Sequence, residues 1–217
     1  MEIEWEEPFI ASRSTVTERG ETAVDTISVR LDLLMPLDQE TGGVAPGAAR
    51  TYLNAMIDLA SRQNKSVSLI AIQPDSTPLL EFLGSESNQA IGYAMVRYLQ
   101  QETRPYDMVA RFKQPVENGM PAFLVICPFL EEEEANSLAL RLQTGLTAKT
   151  GGEKSAWLSV SIGVTSFSLD ASDPDSILAR VRDALRRAKK HGGNCIWRYT
   201  DTLRSLIERE KETPDTN

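Results

Sequence analysis

Short apolar runs alternate with amphipathic helical stretches along this chain, and that alternation limits its possible folds more than any other feature. Val67 to Ile72 is a short, mostly apolar run ended by Gln73-Pro74, the pattern of a buried strand. Before it, the segment from Ala48 to Arg62 places Leu53, Met56, Ile57 and Ala60 on one helical face. After it, a second helical stretch spans Ser87 to Glu102, with Ile91, Met95, Val96 and Leu99 inward. Asp107 to Phe112 and Ala122 to Cys127 then read as two strands joined by a loop with the turn pair Asn118-Gly119. Pro121 falls at the start of the returning strand or on its edge. A helix over Glu131 to Leu146 follows, then a strand over Trp157 to Phe167 with Gly163 at a bulge. Asp173-Pro174-Asp175 opens a helix reaching His191, and Gly192-Gly193 ends it. Cys195 to Tyr199 is a final strand, and Asp201 to Lys211 predicts a short helix before a disordered tail. Helices and strands in this order predict one sheet with helices packed on it, an α/β (α+β) fold.

Residues 1 to 37 read as an N-terminal extension, polar and loop-like through Ser12-Arg13-Ser14-Thr15. Ile27, Val29, Leu31 and Leu33 alternate with Ser28, Arg30 and Asp32, the period of a half-buried strand; a helical leader is the alternative. At 217 residues the chain suits one well-packed domain of about 150 residues plus extensions. Its 23 basic and 31 acidic residues leave a net charge of −8, which argues against a nucleic-acid interface but not against a small anion held by local arginines. No apolar run approaches the roughly 18 residues of a membrane helix, so no membrane insertion is expected. The acidic start, M-E-I-E-W-E-E-P, lacks the layout of a signal peptide, which predicts a cytoplasmic protein. Cys127 and Cys195 have no metal-binding spacing and read as reduced thiols. His191 is the only histidine, which excludes a multi-histidine metal site, and it reads as an exposed cation at a helix end. The acidic run Glu131 to Glu134 complements the dipole of the helix that it opens.

Residues 104 to 112 read R-P-Y-D-M-V-A-R-F and continue K-Q-P-V-E-N-G-M-P-A. Asp107 and Arg111-Phe112 resemble the strand that enters the signature turn of a GGDEF domain, the bacterial fold that makes cyclic di-GMP. Three further segments resemble that family in the same order. Asp38-Gln39-Glu40-Thr41-Gly42 is similar to its opening D-x-L-T-G motif. Ser159-Val160-Ser161-Ile162-Gly163-Val164 is similar to its (T/S)-V-S-I-G-V strand. Ala184-Leu185, Ala188-Lys189, Gly192 and Asn194 follow its A-L-Y-x-A-K-x-x-G-x-N ending. The resemblance covers residues 38 to 198 and implies a nucleotidyl-cyclase-like palm fold with a mostly antiparallel sheet flanked by helices. Residues 199 to 217 would follow as a short helix and tail.

What the resemblance implies for function divides by site. Where the Gly-Gly-Asp/Glu-Glu-Phe turn belongs, the chain has Lys113, Gln114, Pro115, Val116 and Glu117. The acidic position at the end of the first strand, a magnesium ligand in the family, is Gln73, while Asp75 remains at the second position. No matching guanine-reading pair stands in L-L-E-F-L-G-S-E-S-N-Q, and Gly193 replaces a phosphate-contacting arginine beside the retained Lys189. The resemblance therefore implies no catalytic residues, no metal and no cofactor. The family's regulatory R-x-x-D motif is present as Arg104-Pro105-Tyr106-Asp107, and Arg141 falls at the auxiliary arginine position. Arginine can fork onto guanine or phosphate and aspartate can accept from guanine N–H groups. The expected function is a non-catalytic receptor for cyclic di-GMP that acts through Arg104, Asp107 and Arg141 on itself, as a homodimer, or on a protein partner. The alternative is a ligand-independent interaction or scaffold module.

Overall fold

Side chains along a strand alternate between the two faces of a sheet, and each face of this sheet carries its own core. The computed structural model describes residues 30–75, 78–113, 120–149, 158–167 and 173–201. Within them the order is α1 (Pro46–Gln63), β1 (Val67–Pro74), α2 (Pro78–Glu102), β2 (Met108–Phe112), β3 (Ala122–Pro128), α3 (Glu132–Lys149), β4 (Val160–Phe167), α4 (Pro174–Lys190) and β5 (Ile196–Arg198). The strands form one sheet in the spatial order β2-β3-β1-β4-β5. β1 pairs antiparallel with β3 and β4, and β2 with β3, while β5 lies parallel to β4. The alternation predicts the helix-flanked sheet, and the family resemblance implies its mostly antiparallel order.

On one face Ile70, Ile72, Val125 and Ile162 meet Leu99 of α2 and Leu142 of α3. On the other Leu69, Met108, Leu124 and Ile126 meet Leu53 of α1 and Val181 of α4. Because both faces are covered, β1 and β3 are buried throughout their length. Apolar runs without polar alternation are what such strands require.

The helix ends follow local rules. Asp173 caps α4 by accepting from the N–H groups of Asp175 and Ser176, each at 3.1 Å, and Pro174 takes the first helical position. Gly192 (φ 103°) and Gly193 (φ 73°) turn the chain out of it, in the left-handed region where glycine is not penalised. Asp38 closes the turn before α1: its carboxylate accepts from the Thr41 hydroxyl at 2.8 Å and its carbonyl from the Gly42 N–H at 2.8 Å. Val44 then lies along the free edge of β2, donating to the Val109 carbonyl at 3.0 Å and accepting from the Arg111 N–H at 2.9 Å. Covering that edge removes a row of unpaired backbone groups.

Two expectations are corrected. The described part of the predicted N-terminal strand is a single 3-10 turn, Leu31–Leu34. Leu33 is 54% exposed and Asp32 fully buried, the reverse of the face the alternation assigns. The segment is anchored by the ion pair of Arg30 with fully buried Asp32, alongside Leu31 and Met35, which pack against the core. Gly163 is not at a bulge, since β1 and β4 pair in unbroken register from Val67↔Phe167 to Pro74↔Val160. Its lack of a side chain serves α4, whose Leu185 backbone nitrogen would lie 2.3 Å from a Cβ there. Ile27, Val29, the Asn118-Gly119 turn, Trp157 and the helix expected beyond Asp201 lie outside the described residues.

Candidate functional site

The R-x-x-D quartet fills the connection between the end of α2 and the start of β2. Residue spacing alone brings its ends together: the Asp107 N–H donates to the Arg104 carbonyl at 3.0 Å. The Asp107 carboxylate accepts from the Arg104 backbone N–H at 2.8 Å and from its guanidinium Nη2 at 3.0 Å. Arg104 Nη2 also donates to the Pro128 carbonyl at the end of β3, 3.1 Å away. Burial works against the Arg104 charge, yet the Asp107 hydrogen bonds prevail and raise its pKa above the ordinary arginine value. The two partners differ in access, with 36% of the Arg104 side chain exposed against 1% for Asp107. Arg104 also lies over the ring of Tyr106, 4.7 Å from its centroid, and Tyr106 is exposed.

Every backbone carbonyl of this turn has a donor. Leu31 N–H donates to Pro105 at 3.0 Å, and the Tyr52 hydroxyl of α1 donates to Tyr106 at 2.6 Å. Arg30 reaches the rest, with Nη1 on Thr103 at 3.0 Å and on the Gln100 carbonyl, and Nη2 on Asp107 at 2.9 Å. The Arg30 charge is balanced by buried Asp32, whose Oδ2 also accepts from Gln100 Nε2 at 3.2 Å. Such complete satisfaction is what a buried polar network needs if it is to fix one geometry. Sequence reasoning found the quartet but missed Arg30, Asp32 and Tyr52. The only sequence signal was an Arg and an Asp set among apolar positions in the alternating stretch.

Arg141 comes to the same place from α3. Its Nη2 donates to the Glu102 carbonyl at 2.7 Å, where α2 ends, and its side chain is 61% exposed. Arg104, Asp107 and Arg141 thus line one depression of about 350 Å³, together with Glu102 and Glu134. The three residues singled out from sequence are brought together. Cys127 is fully buried, and burial pushes its thiol well above the usual range, so it offers no nucleophile.

Gln73, Asp75 and Lys189 lie elsewhere, around the end of β1 and the end of α4. Gln73 is buried and its Nε2 donates to the Met120 carbonyl at 2.9 Å. Asp75 accepts from the Ser161 hydroxyl at 2.5 Å and from the Asn194 N–H at 2.8 Å. A Cβ on Gly193 would lie 3.0 Å from the Asp75 carboxyl, so the glycine permits that close approach. Among the described residues no group of three or more His, Cys, Asp and Glu side chains is placed to hold a metal ion. His191 is exposed at the end of α4, stacked on Trp197 with ring centroids 4.2 Å apart.

Comparison with known proteins agrees with this architecture. The GGDEF domain of FimX from Pseudomonas aeruginosa is 18% identical and superposes with a TM-score of 0.63, covering 74% of this chain and 97% of that one. The GGDEF domain of DgcB from Caulobacter crescentus in complex with c-di-GMP is 16% identical, with a TM-score of 0.61 and coverage of 76% and 95%. The active GGEEF domain of a diguanylate cyclase from Vibrio cholerae is 19% identical, with a TM-score of 0.60 and coverage of 69% and 92%. At these identities the likeness is one of fold. No curated protein matches the sequence. No helix among the described residues is long and apolar enough to cross a membrane. The family model described as diguanylate cyclase, GGDEF domain, matches residues 47–195, well over half the chain, and the chain therefore belongs to the GGDEF family.

Proposed function

We propose that this protein is a catalytically inactive GGDEF domain that binds cyclic di-GMP through Arg104, Asp107 and Arg141. The observation that carries the reading is their convergence on one open depression, on a turn whose backbone carbonyls are held by Arg30, Leu31 and Tyr52. Two guanidinium groups there are partly or mostly exposed and suit guanine edges and phosphates. The buried Asp107 carboxylate is taken up by Arg104, so its first role is to position that guanidinium. It accepts from guanine only if Arg104 swings outward. A domain of this fold is known bound to the same ligand in DgcB.

The other end of β1 supports the inactive half of the proposal. A neutral amide donor at Gln73 and an Asp75 carboxylate already bonded on both oxygens do not fit a magnesium site. Lys113 to Glu117 hold no glycine that would let backbone approach a triphosphate. Titration calorimetry with cyclic di-GMP tests the receptor. Binding is expected in the wild type and a loss of at least about tenfold in Arg104→Ala; no heat at tens of micromolar protein, or an unchanged variant, refutes it. Incubation with GTP and Mg²⁺ tests inactivity, and any cyclic di-GMP formed overturns that half of the proposal.

One observation favours a protein contact as a second reading. Leu33, Leu34 and Leu37 are exposed within five residues of sequence, just after the Arg30 and Leu31 that brace the R-x-x-D turn. If they form a ligand-independent docking surface, Leu34→Ser abolishes capture of a partner while cyclic di-GMP leaves that capture unchanged.

A further inference from the structure

A second cavity, of about 310 Å³, opens on the opposite side of the sheet from α2 and α3, between the start of α1, the end of β2 and α4. Arg50, Arg111, Lys113 and Arg182 line it, and no carboxylate does. In a chain with a net charge of −8, four cations around one small volume are not explained by composition. Arg50 is the one already matched, bonded through Nη2 to Asp175 at 2.7 Å. Among the described residues the other three form no salt bridge. Arg182 lies over the Phe112 ring, 5.5 Å from its centroid, which holds the guanidinium at the cavity without neutralising it.

Two further observations point to an anion. The Nη1 of Arg111 is buried and has no hydrogen-bond partner, a costly state for a charged group unless something accepts from it. The 18-residue helix α1 begins here with no side-chain cap, and nothing stands within 4 Å of the position a Cβ would take on Gly47. Uncapped N–H groups in the first turn and the positive end of the helix dipole both favour negative charge.

We infer that this cavity binds a diphosphate group, free or as the end of a nucleotide, through Arg111, Lys113, Arg182 and the first turn of α1. Three unmatched cations balance the charge of a diphosphate, and the volume falls at the lower end of small-ligand sites. A carboxylate would leave part of that positive charge uncompensated. The site shares no lining residue with the Arg104 depression and does not rest on that reading.

Calorimetric titration of the full chain at low ionic strength with pyrophosphate, inorganic phosphate and GDP tests the inference. Pyrophosphate is expected to bind more tightly than phosphate, to weaken about tenfold in Arg182→Gln and in Lys113→Gln, and to be unaffected in Arg104→Ala. Arg182 and Lys113 are exposed, so both variants should fold, and unchanged melting temperatures would establish it. GDP tighter than pyrophosphate identifies a nucleotide as the source of the group; equal affinities identify the free anion. No heat at millimolar pyrophosphate, or wild-type affinity in both cavity variants, overturns the proposal.

Discussion

Tyr52 shows how one side chain can serve packing and a distant site together. It is 6% exposed within the core that α1 shares with the sheet, and its hydroxyl reaches the Tyr106 carbonyl of the R-x-x-D turn. Burial, and secondarily the nearby Asp107 carboxylate, push its phenol up to about 12 from 10.0. A raised phenol pKa means that the folded state keeps the proton while the unfolded chain loses it. The contribution is therefore fully present below pH 10 and is lost as pH rises through about 12. Tyr52→Phe removes both the hydrogen bond and the titration. At pH 7 the variant should be less stable by about 1 kcal/mol in urea unfolding, because the Tyr106 carbonyl loses its donor. Between pH 10 and 12 that gap should close and then invert; a gap independent of pH would show that the phenol is not buried as described. Neither Tyr52 nor Arg30 could be assigned to the site from sequence, because their partners lie 54 and as many as 77 residues away. Arg104, Asp107 and Arg141 were legible because they match the family's R-x-x-D motif and auxiliary arginine position; the spacing of Arg104 and Asp107 then accounts for their sharing one turn.

Elements were legible where burial follows periodicity. Strands β1 and β3 and helices α1, α3 and α4 fall close to where apolar runs and helical faces place them. The pattern fails at the 3-10 turn Leu31–Leu34 because Asp32, paired with Arg30, takes a buried position while Leu33 and Leu34 are exposed. It fails again at Gly163, where the requirement comes from a different element. In β4 that residue sits beneath α4, and a Cβ would meet the Leu185 nitrogen at 2.3 Å and the Val181 carbonyl oxygen at 2.7 Å. Both are backbone atoms of a continuous helix, so they cannot rotate aside as a side-chain end could. Gly163→Ala must therefore lift α4 off the sheet, separating Val181 and Leu185 from the core they share with Phe167 and Leu69. A loss of about 2–3 kcal/mol is expected from overpacking, measured by chemical denaturation, with the far-UV spectrum retained. Wild-type stability in this variant would mean that α4 sits farther from β4 than described. Gly47→Ala, where a Cβ meets nothing within 4 Å, is the matched control.

At the scale of the molecule, the R-x-x-D turn is a junction. The 30–34 segment, α1 and β3 each bond to it, through Arg30 and Leu31, Tyr52, and the Pro128 carbonyl. Neither core crosses the sheet, and at this turn parts on both faces meet: Tyr52 belongs to the α1–α4 core, and α2, which leads into the turn, to the other. A ligand held by Arg104 and Arg141 would add a further bridge, between the turn and α3. Binding to the folded state alone stabilises it by about 2.7 kcal/mol when ligand stands at a hundred times its dissociation constant. For a domain of this size that corresponds to a melting temperature about 5–10 °C higher. Because the turn ties several elements, the rise should appear as one transition shifted whole, not as a second transition split from the first. With binding weakened about tenfold or more, Arg104→Ala should lose about half of the shift or more, while Arg182→Gln, on the far cavity, should leave it intact. A shift undiminished in Arg104→Ala would place cyclic di-GMP elsewhere on the domain, and an equal loss in both variants would mean that the two cavities are coupled through β2.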